Sequence, residues 1–150
     1  MKKLLSGLFF LMALGLGFTA CSDDDDDATY NGAPEKETAG TYAGTWTRVD
    51  LSDESATTAS GTLTFEATET PYVTKVTAVC ADLDVDNQDV ANITYAGDKY
   101  LYNNYRALEF GAPFSGKITL DRVAGIVYQI TIKEGKKTNT YRYSFEGTKQ

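Results

Sequence analysis

The residues able to do chemistry in this chain are few. There is no histidine, and there are two cysteines, Cys21 and Cys80. Without histidine the commonest general base and the commonest zinc ligand are missing. A thiol nucleophile needs such a base, so Cys80, in an apolar run, reads as a small buried hydrophobe. The densest acid group is Asp82, Asp84, Asp86 and Asp89, with Asn87 among them. Its first three members imitate the opening of an EF-hand loop. Asn87 then stands where the turn glycine is needed, and Ile93 where a bidentate Glu closes the shell. Asp82, Asp84 and Asp86 are thus an incomplete calcium candidate, set against a solvated loop after the third strand. Tyr100, Tyr102 and Tyr105 surround Asn103-Asn104 and precede Arg106. Rings beside amides and a guanidinium can stack on and hydrogen-bond a sugar or small ring, but alternating Tyr also packs one face of a strand. Lys133, Lys136, Lys137 and Arg142 make the last hairpin basic, suited to an acidic partner or to plain solvation. Asn92-Ile93-Thr94 matches a glycosylation sequon. No Ser/His, Cys/His or paired-carboxylate constellation stands out, so neither an enzyme nor a cofactor is expected.

These residues sit in a chain of 150 residues, enough for one ordinary domain and a tail. Lys plus Arg is 14 and Asp plus Glu is 21, a formal charge of −7. Such a balance disfavours nucleic acid, where affinity comes from cations neutralising phosphates. Two cysteines cannot build a disulfide scaffold or a four-cysteine zinc site.

The N-terminus reads as an address. Lys2-Lys3 precede an apolar run from Leu4 to Phe18, and the small residues Thr19-Ala20 come before Cys21. The run is too short for a membrane span and fits a secretory signal over residues 1–20. Phe18-Thr19-Ala20-Cys21 resembles the lipobox of bacterial lipoproteins, with Phe where Leu is usual. That resemblance implies cleavage before Cys21 and acylation of its thiol. Ser22 and five aspartates, Asp23 to Asp27, follow. Such a run stays extended and hydrated. It also resembles the surface-export signal of Bacteroidota-type lipoproteins. The expectation is an outer-membrane lipoprotein at the cell surface, with residues 21–39 as acidic tether and polar linker.

From Gly40 onward Thr, Tyr, Val and Ile become frequent, the residues of a pleated surface. Period-two alternation recurs. Tyr42, Gly44, Trp46 and Arg48 share one face. Leu63 with Phe65, Ala91 with Ile93 and Tyr95, and Tyr100 with Tyr102 do likewise. Leu108, Phe110 and Phe114 lead to Ile118 and Leu120. Ile126, Tyr128, Ile130 and Ile132 share a face, and Tyr141, Tyr143 and Phe145 close the chain. Val73 to Ala81 is a further β-rich run. Ala96-Gly97-Asp98-Lys99, Asp121-Arg122 and Glu134-Gly135-Lys136 are turns. Thr68 to Pro71 breaks the chain, and Asp50 to Ser60 reads as a longer polar loop. About eight strands with short connections predict an all-β domain over residues 40–150, an antiparallel barrel or a β-sandwich.

Gly44-Thr45-Trp46 in the first strand resembles the G-x-W signature of the calycin group, the lipocalin-like barrels. That resemblance favours the barrel. It also implies that Gly44 and Trp46 are structural, with the Trp sealing the closed end against an Arg of the last strand, here Arg142. Small uncharacterised calycin-like lipoproteins would suit the anchor. The function expected is non-enzymatic. A membrane-anchored barrel would bind a small apolar ligand or an envelope protein. A glycan-binding module or a protease-inhibitor-like interaction protein is the alternative. The membrane, through Cys21, is the one partner expected by chemistry, and no nucleic acid is expected.

Overall fold

A computed structural model describes residues 30–150. The signal, the lipobox with Cys21 and the aspartate run lie outside the described residues. Within them, Ala33–Gln150 is one compact unit. It begins with a one-turn helix α1 (Pro34–Glu37). Eight strands follow: β1 (Gly40–Asp50), β2 (Ala56–Ala67), β3 (Val73–Cys80), β4 (Val85–Tyr95), β5 (Lys99–Asn104), β6 (Phe114–Thr119), β7 (Val123–Glu134) and β8 (Lys137–Lys149). Each pairs antiparallel with the next, and β8 returns to β1, closing an eight-stranded barrel. Closure leaves no unpaired edge. The fold is therefore the barrel and not the sandwich.

The alternation read from the sequence sets the register. Tyr42 and Trp46 of β1, Leu63 and Phe65 of β2, Val76 and Ala78 of β3, and Ile93 of β4 are all buried. Tyr102, Phe114, Ile118, Ile126, Tyr128, Tyr143 and Phe145 continue this interior around β5 to β8. The core is built of rings: Tyr42 meets Phe65 edge-on at 5.4 Å between centroids, and Phe65 meets Tyr102 at 5.0 Å. An eight-stranded barrel is just wide enough for side chains to fill, and here large aromatics fill it.

Three local expectations change. Ala56 to Ser60 belongs to β2, because Ala56–Ser60 pairs with Thr45–Val49 of β1. Small residues and Thr with no apolar alternation look like loop, yet the hydrogen bonds of the partner strand decide. Leu108 and Phe110 belong to no strand; they lie in the long connection between β5 and β6. Lastly, the linker expected up to residue 39 contains α1, which starts on Pro34, where proline suits a first helical turn.

That helix stoppers one end of the barrel. Tyr42 donates its hydroxyl to the Thr38 carbonyl at 2.9 Å, and Tyr100 donates to Glu37 Oε1 at 2.7 Å. The Tyr72 backbone N–H donates to Glu35 Oε2 at 3.1 Å, across 37 residues of sequence. Glu35 and Thr38 are buried, so these polar groups are satisfied where water is excluded. The guanidinium of Arg122 lies over the Tyr100 ring, 5.4 Å from its centroid. Burial and the Glu37 carboxylate push the Tyr100 phenol up to about 12.

Candidate functional site at the open mouth of the barrel

The opposite end, where β1 finishes and β8 begins, is open. A cavity of about 330 Å³ lies there, lined by Arg48, Leu83, Asn87, Tyr128, Ile130 and Tyr141, among others. Strand parity explains the set. Arg48 occupies the next inward position of β1 after Trp46, and it pairs in register with Tyr143 of β8. Asn87 is inward on β4, two residues beyond the buried Val85. Tyr128 and Ile130 are successive inward positions of β7. The short 3₁₀ turn Ala81–Leu83 ends at Asp84, whose φ is 55°, and places the buried Leu83 against the cavity.

The floor is aromatic. Tyr128 stacks on Tyr143 with centroids 5.1 Å apart and rings 6° from parallel. It also meets Phe110 edge-on at 5.0 Å and Trp46 at 6.2 Å. Tyr128 therefore separates the mouth from the filled core. Its phenol is pushed up, first by burial and then by the neighbouring Tyr143; a hydrogen bond from Asn87 at 3.5 Å opposes this. It stays neutral at physiological pH.

The wall carries the charge. Arg48 lies over the Tyr141 ring, 5.5 Å from its centroid, an attraction between cation and ring quadrupole. Among the described residues the one ion pair is Lys99 with Asp98, far around the barrel, so Arg48 has no carboxylate within salt-bridge distance there. Asp50, the next inward residue of β1, turns its Oδ1 to the backbone N–H and hydroxyl of Ser52. The two carboxylates that do line the mouth, Asp84 and Glu134, are exposed at its rim.

The connection between β5 and β6 is fastened at this same end. Asp89 Oδ2 accepts the backbone N–H groups of Glu109 at 3.0 Å and Phe110 at 3.2 Å. Asn104 Oδ1 accepts those of Arg106 and Ala107, each at 2.8 Å. Phe110 is thereby driven into the core, 4.4 Å from Phe114 between centroids.

The residues singled out in the sequence scatter. Asp82, Asp84 and Asp86 are exposed, and Asp89 serves the loop just described. Among the described residues no three of His, Cys, Asp or Glu are grouped to hold a metal. Asp86 stands in β4 facing out, while Asp84 sits in a left-handed turn, so the sequence spacing never becomes a ligand shell. Tyr100 and Tyr102 point into the barrel; Tyr102 donates its hydroxyl to the Gly125 carbonyl at 2.6 Å. Tyr105 lies outside and is 73% exposed. The three therefore form no common platform, because strand alternation buries the first two and the chain leaves the sheet before the third.

Arg142 corrects another expectation. It is exposed on the outer face of β8, between the inward Tyr141 and Tyr143, and does not reach Trp46. It lines a shallow outer groove with Tyr105, Ser115, Val127 and Gln129. Trp46 packs instead on Phe145, its register partner, at 5.1 Å between centroids. Gly44 permits close approach of β1 and β8: a side chain there would collide with the Glu146 carbonyl and the backbone of Gly147. Cys80 is a buried free thiol 3.4 Å from the Ser60 carbonyl. Lys133, Lys136 and Lys137 are exposed on the β7–β8 hairpin.

Sequence reading missed Arg48, Asn87, Tyr128, Tyr141 and Tyr143 as a group. One signal existed: Arg48 continues the face of Tyr42 and Trp46, and a cation at the end of an apolar face points to a barrel rim. No family model, curated protein or solved structure matches the chain. No helix among the described residues is long and apolar enough to cross a membrane.

Proposed function

We propose that this protein is a non-enzymatic binding lipoprotein of a bacterial envelope, which holds a small molecule in the open mouth of its barrel. The observation that carries the reading is the mouth itself: a concave space where a cation, an amide and phenols converge above an aromatic floor. Small-molecule sites combine apolar walls with a few convergent polar groups in this way, at roughly 300–1,000 Å³. With about 330 Å³ the mouth is at the small end of that range.

The ligand is short. Among the described residues, Trp46, Phe110 and Phe145 fill the barrel beneath Tyr128 and leave a long chain no room inward. This narrows the apolar ligand expected from the barrel class to one with a polar end. Arg48, Asn87 and a protonated Tyr128 are donors at neutral pH, which suits holding a ligand by its acceptor atoms.

The envelope part rests on the lipobox-like Phe18-Thr19-Ala20-Cys21 and on the aspartates after it. The G-x-W resemblance supports a calycin-like barrel, although the role of Arg142 in it does not carry over. Cys21→Ser should release the protein from the membrane fraction; unchanged retention would refute the anchor. The binding part is tested by hydrogen exchange of the full chain with the low-mass fraction of its own host's extract. Exchange should slow at residues 83–87 and 128–132. Unaltered exchange at both segments would refute it.

A further inference from the structure

Resting on that reading of the mouth, we infer that the ligand is a small aryl monocarboxylate, its anionic group paired with Arg48 and its ring held among Tyr141, Tyr143 and Ile130.

The charge argument comes first. Among the described residues, Arg48 is the one cation lining the mouth. A half-buried guanidinium is normally held by a carboxylate, because its planar fork matches two oxygens. Here it lies over the face of Tyr141, and Asp50 on the same strand is engaged in its own turn. The fork is therefore available to an incoming anion. Asp84 and Glu134 also line the mouth, but both are exposed at its rim, where water screens them more than it screens the half-buried Arg48. Each negative charge on the ligand faces that rim as well, so a second one would add repulsion with no second cation to offset it.

The shape argument is independent of charge. Tyr128 and Tyr143 each turn one face to the other, and Arg48 lies over one face of Tyr141, so a guest is left the edges and remaining faces of these rings. Aromatic rings pair edge-to-face as well as offset-stacked, so an aromatic guest suits such a lining. The Tyr128 phenol stays protonated because burial opposes its ionisation. It adds a donor to the floor and no negative charge to oppose an anion. Ile130 and Leu83 complete an apolar side for the ring.

The test uses two probes that differ in charge and hardly in shape, phenylacetate and phenylacetamide. Each is titrated into the isotope-labelled full chain, and backbone amide shifts are followed by NMR. Phenylacetate is expected to move residues 83–87, 128–132 and 141–143, and to bind at least about tenfold tighter than the amide. Arg48→Met should bring the two probes to equal affinity by weakening phenylacetate, and Arg48→Lys should keep part of the preference. The unchanged remainder of each spectrum shows that the variant folds; if Arg48→Met does not, Arg48→Gln and Arg48→Lys carry the comparison. Equal binding of both probes at the mouth of the unmodified chain overturns carboxylate selection and leaves the mouth reading standing. A preference that survives Arg48→Met overturns the role of Arg48. No shift at the mouth with either probe overturns this inference together with the reading beneath it.

Discussion

The indole of Trp46 occupies the space that a side chain at position 61 would need. A Cβ built on Gly61 would lie 2.5 Å from Trp46 Cδ1 and 2.8 Å from Nε1. Trp46 pairs with Ala59, and Gly61 is two residues along the same face of β2. The largest side chain of the barrel is thus accommodated by the absence of its diagonal neighbour. Gly61→Ala should destabilise the fold by about 1–3 kcal/mol, the range for overpacking a filled core. Denaturant titration reads it directly, and an unmoved midpoint would contradict the packing.

Trp46→Ala removes the same contact from the other side. It should cost roughly 3–5 kcal/mol, because Phe145 and Tyr128 lose the ring between them. Trp46→Phe should cost much less. It keeps an aromatic contact, and it removes Nε1, a buried donor with no hydrogen-bond partner among the described residues. Comparable losses in both variants would mean that the indole nitrogen contributes a bond that this packing lacks.

Much of the barrel was legible because strand periodicity and turn chemistry agree. Gly97 and Gly135 take positive φ at the tight turns where the sequence put them. Trp46, Phe65 and Ile126 face inward as alternation requires. The mouth was harder to see. It is assembled from β1, β4, β7 and β8, and no spacing in one segment announces a site shared by four. Arg142 misled because alternation alone does not tell which face of β8 turns inward. Tyr141 and Tyr143 take that face, so their neighbour must face out. Phe110 looked like strand because Leu108 and Phe114 lie at even spacings from it, yet backbone hydrogen bonds from its loop to Asp89 and Asn104 decide its place.

Asp89 ties the β5–β6 connection down by one carboxylate oxygen. Asp89→Ala should speed hydrogen exchange at Glu109 and Phe110 at least about tenfold, as charge-assisted bonds of roughly 1.5–3 kcal/mol are lost. Amides of β7 should be left nearly unchanged. An equal acceleration throughout the barrel would show that Asp89 stabilises the whole fold and not the loop.

Alkaline stability follows from the tyrosines. Burial raises the phenols of Tyr42, Tyr100, Tyr102 and Tyr128 in the folded chain. In the unfolded chain they ionise near the ordinary value of 10.0. Their stabilising effect is complete below pH 10 and falls as pH rises above it, through about 12 for Tyr100 and still higher for Tyr102 and Tyr128, which are raised further. Phenolate absorbance should therefore show part of the tyrosine ionising only as circular dichroism reports unfolding. All ten tyrosines titrating near 10 in a folded protein would contradict this.

The claim that the mouth holds a small molecule is tested most directly by native mass spectrometry. The full chain and its Ile130→Trp variant, which places a large ring in the mouth, are each incubated with the low-mass fraction of host extract. A reproducible small adduct on the unmodified chain that disappears from Ile130→Trp is the predicted result. No adduct on the unmodified chain, or the same adduct on both, would contradict it.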